Sequence, residues 1–582
     1  MFARVFPILR LPRRFGVFDY AIPESITVNV GEVIQIPFRH RTVLGIVKEV
    51  ASTTKEKRTL AIVSGSVGYS IEEKDFERIE SIASELGQSV SSILTVGFEG
   101  VRSFIVRFSP SVPSTIPRAK SPTISPDTIA SVHAIIDRLK THRSLAVATD
   151  DETFCVLATA MCKTMKNQVL ILVPRERDAR ILQKILAGFS PVILTGKVKP
   201  NDRNGVIRGW RNGDVRVLIG TRQTVMIAPK DLDAVLVFQS ACDDHLSIMR
   251  NPHIDAVRVA EKLAESHKAF FVASDVFPSP SATLPLLVTN DGGDVTLIDV
   301  AHKSEYSPYP LLSQTLLQSI EISLQNGKKV VLSFNRKGVA KRMECKACGH
   351  VPFCGTCGSL PTVRLDDLLC TACGSEMWKP ETCPACGSPK IGLKSIGGAK
   401  IADDLSKAFP NAVIGAIQKG HVDKHADILI ATEFFWSSVV EPFVKWNFGL
   451  VAEILADMSF TPGDFRGAEH TARNIARLRQ LAKREKAACL VQTVARDRLQ
   501  TLLGVAHVTT TELAARKTYS LPPYGVVISF EGATRDILPP AIASKVIDRN
   551  DVLIAKIDHA TFEQWQTLFP TIPDAVKILI EQ

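Results

Sequence analysis

Two hydrophobic rhythms divide this chain. Over residues 28–50, VNVGEVIQIPFRHRTVLGIVKEV, apolar and polar positions alternate with a period of two. That predicts half-buried strands of a small β-sheet or barrel, with turn glycines at Gly31 and Gly45. From about residue 127 the rhythm changes. IASVHAIIDRLKTH carries its apolar positions at helical spacing and predicts an amphipathic helix. Short continuous apolar runs follow: SLAVAT, QVLILVP, VRVLIGT, DAVLVF and KAFFVAS, separated by helical stretches such as RERDARILQKILAGF. Runs of this kind are strands buried on both faces, as in a doubly wound parallel sheet. A second series, VTLIDV, KVVLSF, AVIGAI, DILIAT and FGLVAEILA, repeats the pattern. Two tandem α/β lobes are therefore expected. Near the end, LPPYGVVISF and VLIAKIDH suggest a small mixed α/β domain.

These rhythms set the expected boundaries. A β domain covers residues 1–106, and a Pro/Ser-rich linker, RFSPSVPSTIPRAKSPTISP, covers 107–126. The first lobe covers 127–287 and the second 288–505, interrupted by a cysteine-rich insert at 345–386. The C-terminal domain covers 506–582. A chain of 582 residues with 45% hydrophobic and 22% charged residues has room for three or four domains with cores of their own. Its formal charge of +10 leans toward a polyanionic partner, although charge alone fits a merely basic protein equally well. The N-terminus, MFARVFPILRLPRRFG, lacks the apolar core and small-residue cleavage site of a signal peptide. No apolar run reaches the roughly 18 residues of a membrane span. With abundant unpaired thiols, that predicts a cytoplasmic protein. Cys155, Cys162, Cys242 and Cys489 lie in apolar runs and are expected to be buried structural thiols.

The insert changes the picture most. Eight of the twelve cysteines sit in it as four Cys-x-x-Cys pairs: Cys345/Cys348, Cys354/Cys357, Cys370/Cys373 and Cys383/Cys386. Each such turn points two thiolates at one place, and two turns complete a tetrahedral site. Four turns make two closed zinc sites, structural rather than catalytic. Disulfides would need an oxidising compartment. An iron–sulfur cluster would need one set of four, whereas a glycine after the second cysteine of each pair marks zinc knuckles. The spacing leaves the pairing open between a sequential order and a nested one, in which the outer turns join and the inner turns join.

A basic cluster marks the N-terminus. The first 48 residues hold seven Lys/Arg, among them Arg13, Arg14, Arg39 and Arg41, against three acids. Phe18 and Tyr20 flank Asp19 beside it. Aromatic rings among cations suit a single-strand end: rings stack on bases, cations take phosphates, and a carboxylate accepts hydrogen bonds from a base edge or a terminal hydroxyl. Spacing alone leans the other way, to core aromatics and a solvated basic face.

MFARVFPILRLPRRFGVFDYAIPE and IPFRHRTVLGIVKEV, then GTRQTVMIAP, SFNRKGVA, the eight-cysteine block, PGDFRGAE and YSLPPYG, follow one another in an order that resembles the PriA family of bacterial replication-restart proteins (primosomal protein N′). The resemblance spans nearly the whole chain. It implies two RecA-like helicase-type lobes with a two-zinc insert, an N-terminal 3′-end-binding domain and a small C-terminal domain. It also implies binding to abandoned forks and D-loops with 3′ ends, and recruitment of single-stranded-DNA-binding protein and other primosome or helicase-loading proteins. Phe18, Asp19 and Tyr20 match the 3′-end pocket motif. The family pairs its zinc ligands in the nested way, which assigns Cys345, Cys348, Cys383 and Cys386 to one zinc and Cys354, Cys357, Cys370 and Cys373 to the other. Two departures stand out: Arg39 replaces a small residue after Pro37-Phe38, and the winged-helix domain expected after the first unit is replaced by the linker.

The motor motifs of such lobes are broken. A phosphate cradle needs glycines, a lysine and a hydroxyl that binds Mg²⁺. The corresponding turn, TDDETFCV (Thr149–Val156), has neither glycine nor lysine. Asp150, Asp151 and Glu152 read instead as an acidic helix start. The second motif, Asp-Glu-x-His, falls on FQSACDDH, where Asp243, Asp244 and His245 read as a surface loop. In the second lobe GGAK (Gly397–Lys400), ATEF (Ala431–Phe434), SVVE and LRQLAKRE (Leu478–Glu485) stand where further motifs belong, and Arg484 is a coincidence of composition rather than an arginine finger. ATP/Mg²⁺ binding is therefore not expected. The leading expectation is a fork-binding scaffold without helicase activity. The alternatives are a 3′–5′ DNA helicase with divergent motifs and a zinc-dependent protein adaptor.

Overall fold

The computed structural model describes residues 1–54, 60–62, 64–98, 124–247, 252–281, 283–300, 303–309, 311–334, 341–348, 350–352, 354–356, 361–363, 367–370, 375–395, 398–416, 423, 425–432, 435, 441–459, 465–549 and 552–582. The linker expected at 107–126 falls largely outside them; its last residues, Ser125 and Pro126, open a helix. Ser125 Oγ accepts from the Thr128 backbone N–H at 3.1 Å, and Pro126 takes the first turn, so this helix runs Pro126–Leu139.

The chain forms two compact units. One comprises Met1–Val147, Asp151–Leu287 and Leu513–Gln582, and the other Ala148–Asp150 and Val288–Glu512. The first unit begins with six strands: β1 Phe2–Pro7, β2 Phe18–Ala21, β3 Glu32–Phe38, β4 Arg41–Ala51, β5 Leu60–Ala61 and β6 Ser64–Ser70. Their order in the sheet is β5-β2-β1-β4-β3-β6. The period-two rhythm fills two cores at once. Val5, Tyr20, Ile34, Ile36 and Val47 form one. Phe6, Val33, Leu44, Ile46 and Val67 point the other way, onto helices Glu73–Glu85 and Val90–Phe98. Those helices share a core with the first lobe, through residues such as Trp210, Met226 and Leu263. The N-terminal domain is thus fused to the lobe rather than hung from it. Gly31 is a turn glycine with φ of 84°. Gly45 is not a turn residue: it lies inside β4, where a Cβ would stand 2.5 Å from Val5 Cγ1.

The first lobe is a seven-stranded sheet. Its five adjacent central strands run Ser144–Ala148, Phe270–Asp275, Leu232–Phe238, Gln168–Leu172 and Val217–Gly220, flanked by Leu286–Val288 and Val192–Leu194. Neighbours whose register is defined pair in parallel. The second unit holds a six-stranded sheet with strands Thr296–Asp299, Ala488–Thr493, Phe448–Glu453, Lys329–Ser333, Ile428–Ala431 and Ile414–Ala416 in that order, also parallel. Both expected α/β lobes are present. Leu286–Val288 and Val192–Leu194 escape the sequence reading because they are very short, and Ala488–Thr493 because it ends on the polar Gln492 and Thr493. The C-terminal domain is a four-stranded antiparallel sheet over a core of its own that includes Phe530, Phe562 and Trp565.

Candidate nucleic-acid interface and metal centre

Strand alternation separates the three residues of the pocket motif. In β2, Phe18 and Tyr20 share a face and Asp19 occupies the other. Tyr20 is buried at 4% exposure, and burial pushes its hydroxyl up to about 12. Its ring serves the core. Phe18 is half-buried and joins two further rings. Its centroid lies 5.9 Å from that of Phe15 and 5.4 Å from that of Phe38, the latter edge-on. The Arg14 guanidinium lies 5.2 Å over Phe15. Phe38 ends β3, and the hairpin that follows presents Arg39, His40 and Arg41, all exposed. Arg39 takes a left-handed φ of 55° at the turn. Of the expected residues, Arg14 and Phe18 therefore belong to a ring cluster, and the exposed Arg39 and Arg41 follow Phe38 in the chain. Phe15 and Phe38 complete the cluster and were not singled out from the sequence, although each adjoins an arginine there.

Asp19 faces Arg4 at 3.7 Å and accepts from Thr54 Oγ1 at 2.5 Å. Arg13 is drawn elsewhere. Its Nη2 donates to the Val576 carbonyl at 2.6 Å and its backbone N–H to Asp574 at 3.2 Å, tying the N-terminal domain to the C-terminal one. Burial pulls the Arg13 guanidinium below its ordinary value, with Asp574 pulling it back.

In open α/β sheets, ligands bind at the carboxyl ends of the strands. At that edge of the first lobe, polar side chains of the chain pair with one another. Asp151 and Glu152 sit in the first turn of helix Asp151–Thr164, as their acidic-start reading anticipates. Asp151 accepts from Gln239 Nε2 at 3.0 Å, Gln239 Oε1 accepts from Arg175 Nη1 at 3.3 Å, and Arg175 Nε donates to Asp244 at 2.5 Å. His245 departs from the surface-loop expectation: it is 1% exposed, with Nε2 3.0 Å from the Phe238 carbonyl, and burial lowers its pKa. Asp243 and Asp244 do lie on the surface. In the second unit Asp150 accepts from Asn290 Nδ2, and Arg484 donates to the Glu441 carbonyl at 3.1 Å. Cys155, Cys162, Cys242 and Cys489 are all buried.

The insert opens and closes on an antiparallel pair, Lys341–Cys345 with Ile391–Ser395, which carries Cys345 toward the last cysteine turn. The Gly387 backbone N–H donates to the Cys383 carbonyl at 2.8 Å, and Gly387 takes a φ of 69°, a knuckle turn that favours glycine. The sulfurs of Cys345, Cys348, Cys383 and Cys386 lie within 4.8 Å of one another. Cys345 and Cys386 are 3.7 Å apart and Cys348 and Cys383 3.6 Å. A tetrahedron with metal–sulfur bonds of about 2.3 Å has edges of about 3.8 Å, so this cluster can hold a metal ion. It joins the outer turns. Of the inner four, Cys354 and Cys370 are buried, while Cys357 and Cys373 lie outside the described residues.

The chain thus combines two α/β lobes of helicase-like fold, a cysteine cluster that can hold a metal ion and a surface of rings and cations. The comparisons agree. Residues 8–96 match the sequence profile of the 3′DNA-binding domain of PriA. The chain is 26% identical over 519 residues to the replication restart protein PriA of Rickettsia felis, covering 80% of this chain and 76% of that one. It is 25% identical over 612 residues to the Rickettsia typhi protein of the same name, covering 95% and 90%. The PriA of Bacillus subtilis is 25% identical over 383 residues, covering 58% of this chain and 46% of that one. The resemblance to the PriA family is borne out. Among solved structures, the Mycobacterium smegmatis helicase Lhr bound to ssDNA and AMP-PNP is loosely similar, with a TM-score of 0.33, 12% identity, and coverage of 78% of this chain and 61% of that one.

Proposed function

We propose that this chain is a DNA-binding replication-restart protein that recognises abandoned forks and D-loops by a 3′ end and acts without a helicase motor. One observation carries this reading: a 3′DNA-binding domain at residues 8–96 stands in a chain similar along its length to replication restart proteins. The ring cluster of Phe15, Phe18 and Phe38 offers stacking faces for an unpaired terminal base. Arg14, Arg39 and Arg41 supply phosphate contacts around it. Asp19, steadied by Arg4 and Thr54, is an acceptor on the neighbouring strand face. The outer cysteine cluster holds one zinc and the inner four a second; both close the insert structurally. The insert and the lobes recruit single-stranded-DNA-binding protein and the proteins that reload the replicative helicase. The setting is the cytoplasm, and no described helix is long and apolar enough to cross a membrane.

Absence of a motor follows from charge. A triphosphate entering the first-lobe crevice would meet Asp151 and Asp244, and the nearby Arg175 guanidinium is already bound to Asp244. The test of the DNA reading is fluorescence anisotropy with forked DNA carrying a 3′-hydroxyl, a 3′-phosphate or no 3′ end at the junction. The hydroxyl fork should bind at least several-fold more tightly than the phosphate fork. Phe18→Ala should lose about 1–3 kcal/mol of binding, the worth of one stacked base. Equal affinity for all three forks would refute end recognition.

A further inference from the structure

The first lobe's sheet has a second edge, at the amino ends of the same strands. Along it five adjacent strands, beginning at Ser144, Phe270, Leu232, Gln168 and Val217, are each preceded within two residues by a cation. The cations are Arg143, Lys268, Lys230, Lys166 and Arg216 in that order. With strands about 4.8 Å apart, they form a row about 20 Å long. An open cleft of about 460 Å³ is lined by four of them, joined by Lys74 from the first turn of helix Glu73–Glu85.

A plain account exists for some of these charges. Parallel strands follow helices, and the last carbonyls of a helix attract cations. The two arginines are spent that way. Arg143 Nη1 donates to the Lys268 carbonyl at 2.5 Å and stacks over Phe270; Arg216 Nη1 donates to the carbonyls of Cys162 at 2.9 Å and Met165 at 3.2 Å. The lysines are not. Lys166, Lys230 and Lys268 are exposed and, among the described residues, make no hydrogen bond or ion pair with their side chains. Two carboxylates share the cleft, but Asp233 is occupied by the backbone and side-chain amides of Asn167, at 2.7 and 3.0 Å. That leaves Asp231 against three uncommitted lysines. Of the apolar side chains lining the cleft, Leu232 is buried, Arg143 covers Phe270, and only the half-buried Met165 remains, which makes no pocket by itself. An acidic peptide would find no anchor here. Flexible point charges in a row, with no apolar pocket and no fixed fork geometry, suit a phosphodiester backbone held without reading its sequence.

We infer that this edge is a second DNA contact, which grips the phosphates of a duplex arm while the N-terminal domain takes the 3′ end. The inference rests on the reading that the chain binds DNA. The wild-type full chain is acylated at lysine amines with and without a 20-base-pair duplex whose 3′ ends are blocked, and the modified sites are mapped by mass spectrometry. Lys166, Lys230 and Lys268 should be protected several-fold by the duplex. In parallel, the triple variant Lys166→Ala, Lys230→Ala, Lys268→Ala should bind that duplex about tenfold more weakly, with a salt slope smaller by about 2–3, and keep its preference for a 3′-hydroxyl fork. Unprotected lysines, or protection by an oligoglutamate peptide but not by the duplex, would overturn the assignment. If the hydroxyl fork itself binds no better than background, the DNA reading fails as a whole, a result separate from unprotected lysines on a protein that does bind forks.

Discussion

Asp178 shows how a single buried carboxyl shapes stability. It lies in the first turn of helix Glu176–Ile185, and burial pushes its pKa up to about 6, with the Arg175 guanidinium at 3.6 Å only partly offsetting it. Its ordinary value is 3.8, so between about pH 4 and 6 the folded chain holds a proton that the unfolded chain has lost. Stability contributed by this group is therefore full at low pH and falls as pH rises through that window, by about 2–3 kcal/mol in all. Asp178→Asn should remove the dependence and raise the melting temperature at pH 7 relative to wild type. Melting curves of both proteins at pH 4.5 and pH 7 check this; a parallel pH response in the two would show the assignment wrong. A contrasting case is Asp75, where burial alone would raise the pKa. Hydrogen bonding from His267 and the charge of Arg78 override burial and hold it low. Arg78 also donates to the Val225 carbonyl at 3.1 Å, so this buried group locks a helix of the N-terminal domain onto the first lobe.

Among the elements, the cysteine insert depends most on something other than its own apolar area. Its described strands are short, as few as two residues at Thr362–Val363, and too small to stand by packing alone. Metal binding contributes roughly 10–16 kcal/mol in isolated zinc fingers, enough to organise such a segment. Purified protein should carry two zinc ions per chain by atomic emission, and Cys348→Ser should carry about one. A wild-type content near zero, or an unchanged content in the variant, would reject the assignment of Cys348. The four Cys-x-x-Cys spacings made a metal-binding insert legible from sequence. The nested order was not legible from spacing, because either pairing satisfies it. The antiparallel neck ending at Cys345 is what brings the first turn to the last.

For the molecule as a whole, the question is whether helicase lobes have kept their fold and lost their engine. Both parallel sheets persist because the apolar strand runs that bury them persist. At the carboxyl edge of the first lobe's sheet, Asp151 is held by Gln239 and Asp244 by Arg175, which is the basis of the proposal that this lobe works without a motor. DNA-stimulated ATP hydrolysis by zinc-loaded protein should not exceed background with any fork. Turnover near the 1–10³ s⁻¹ of ordinary enzymes would bring this account down.

By itself the sequence determined the lobes, the cysteine pairs and the broken phosphate loop, since each depends on residues adjacent in the chain or at a fixed short spacing. Hydrophobic period, knuckle turns and a missing lysine are all local facts. What only the tertiary structure decided lies between residues far apart. Arg13, expected at a phosphate, also donates to the Val576 carbonyl of the C-terminal domain. Tyr20 went to the core while Phe18 joined Phe15 and Phe38. The lysines at 166, 230 and 268, scattered in sequence, became neighbours because parallel strands start side by side. The reason is geometric: a side chain's partners are chosen by how strands are ordered and which face each residue takes, and neither is written in its immediate neighbours.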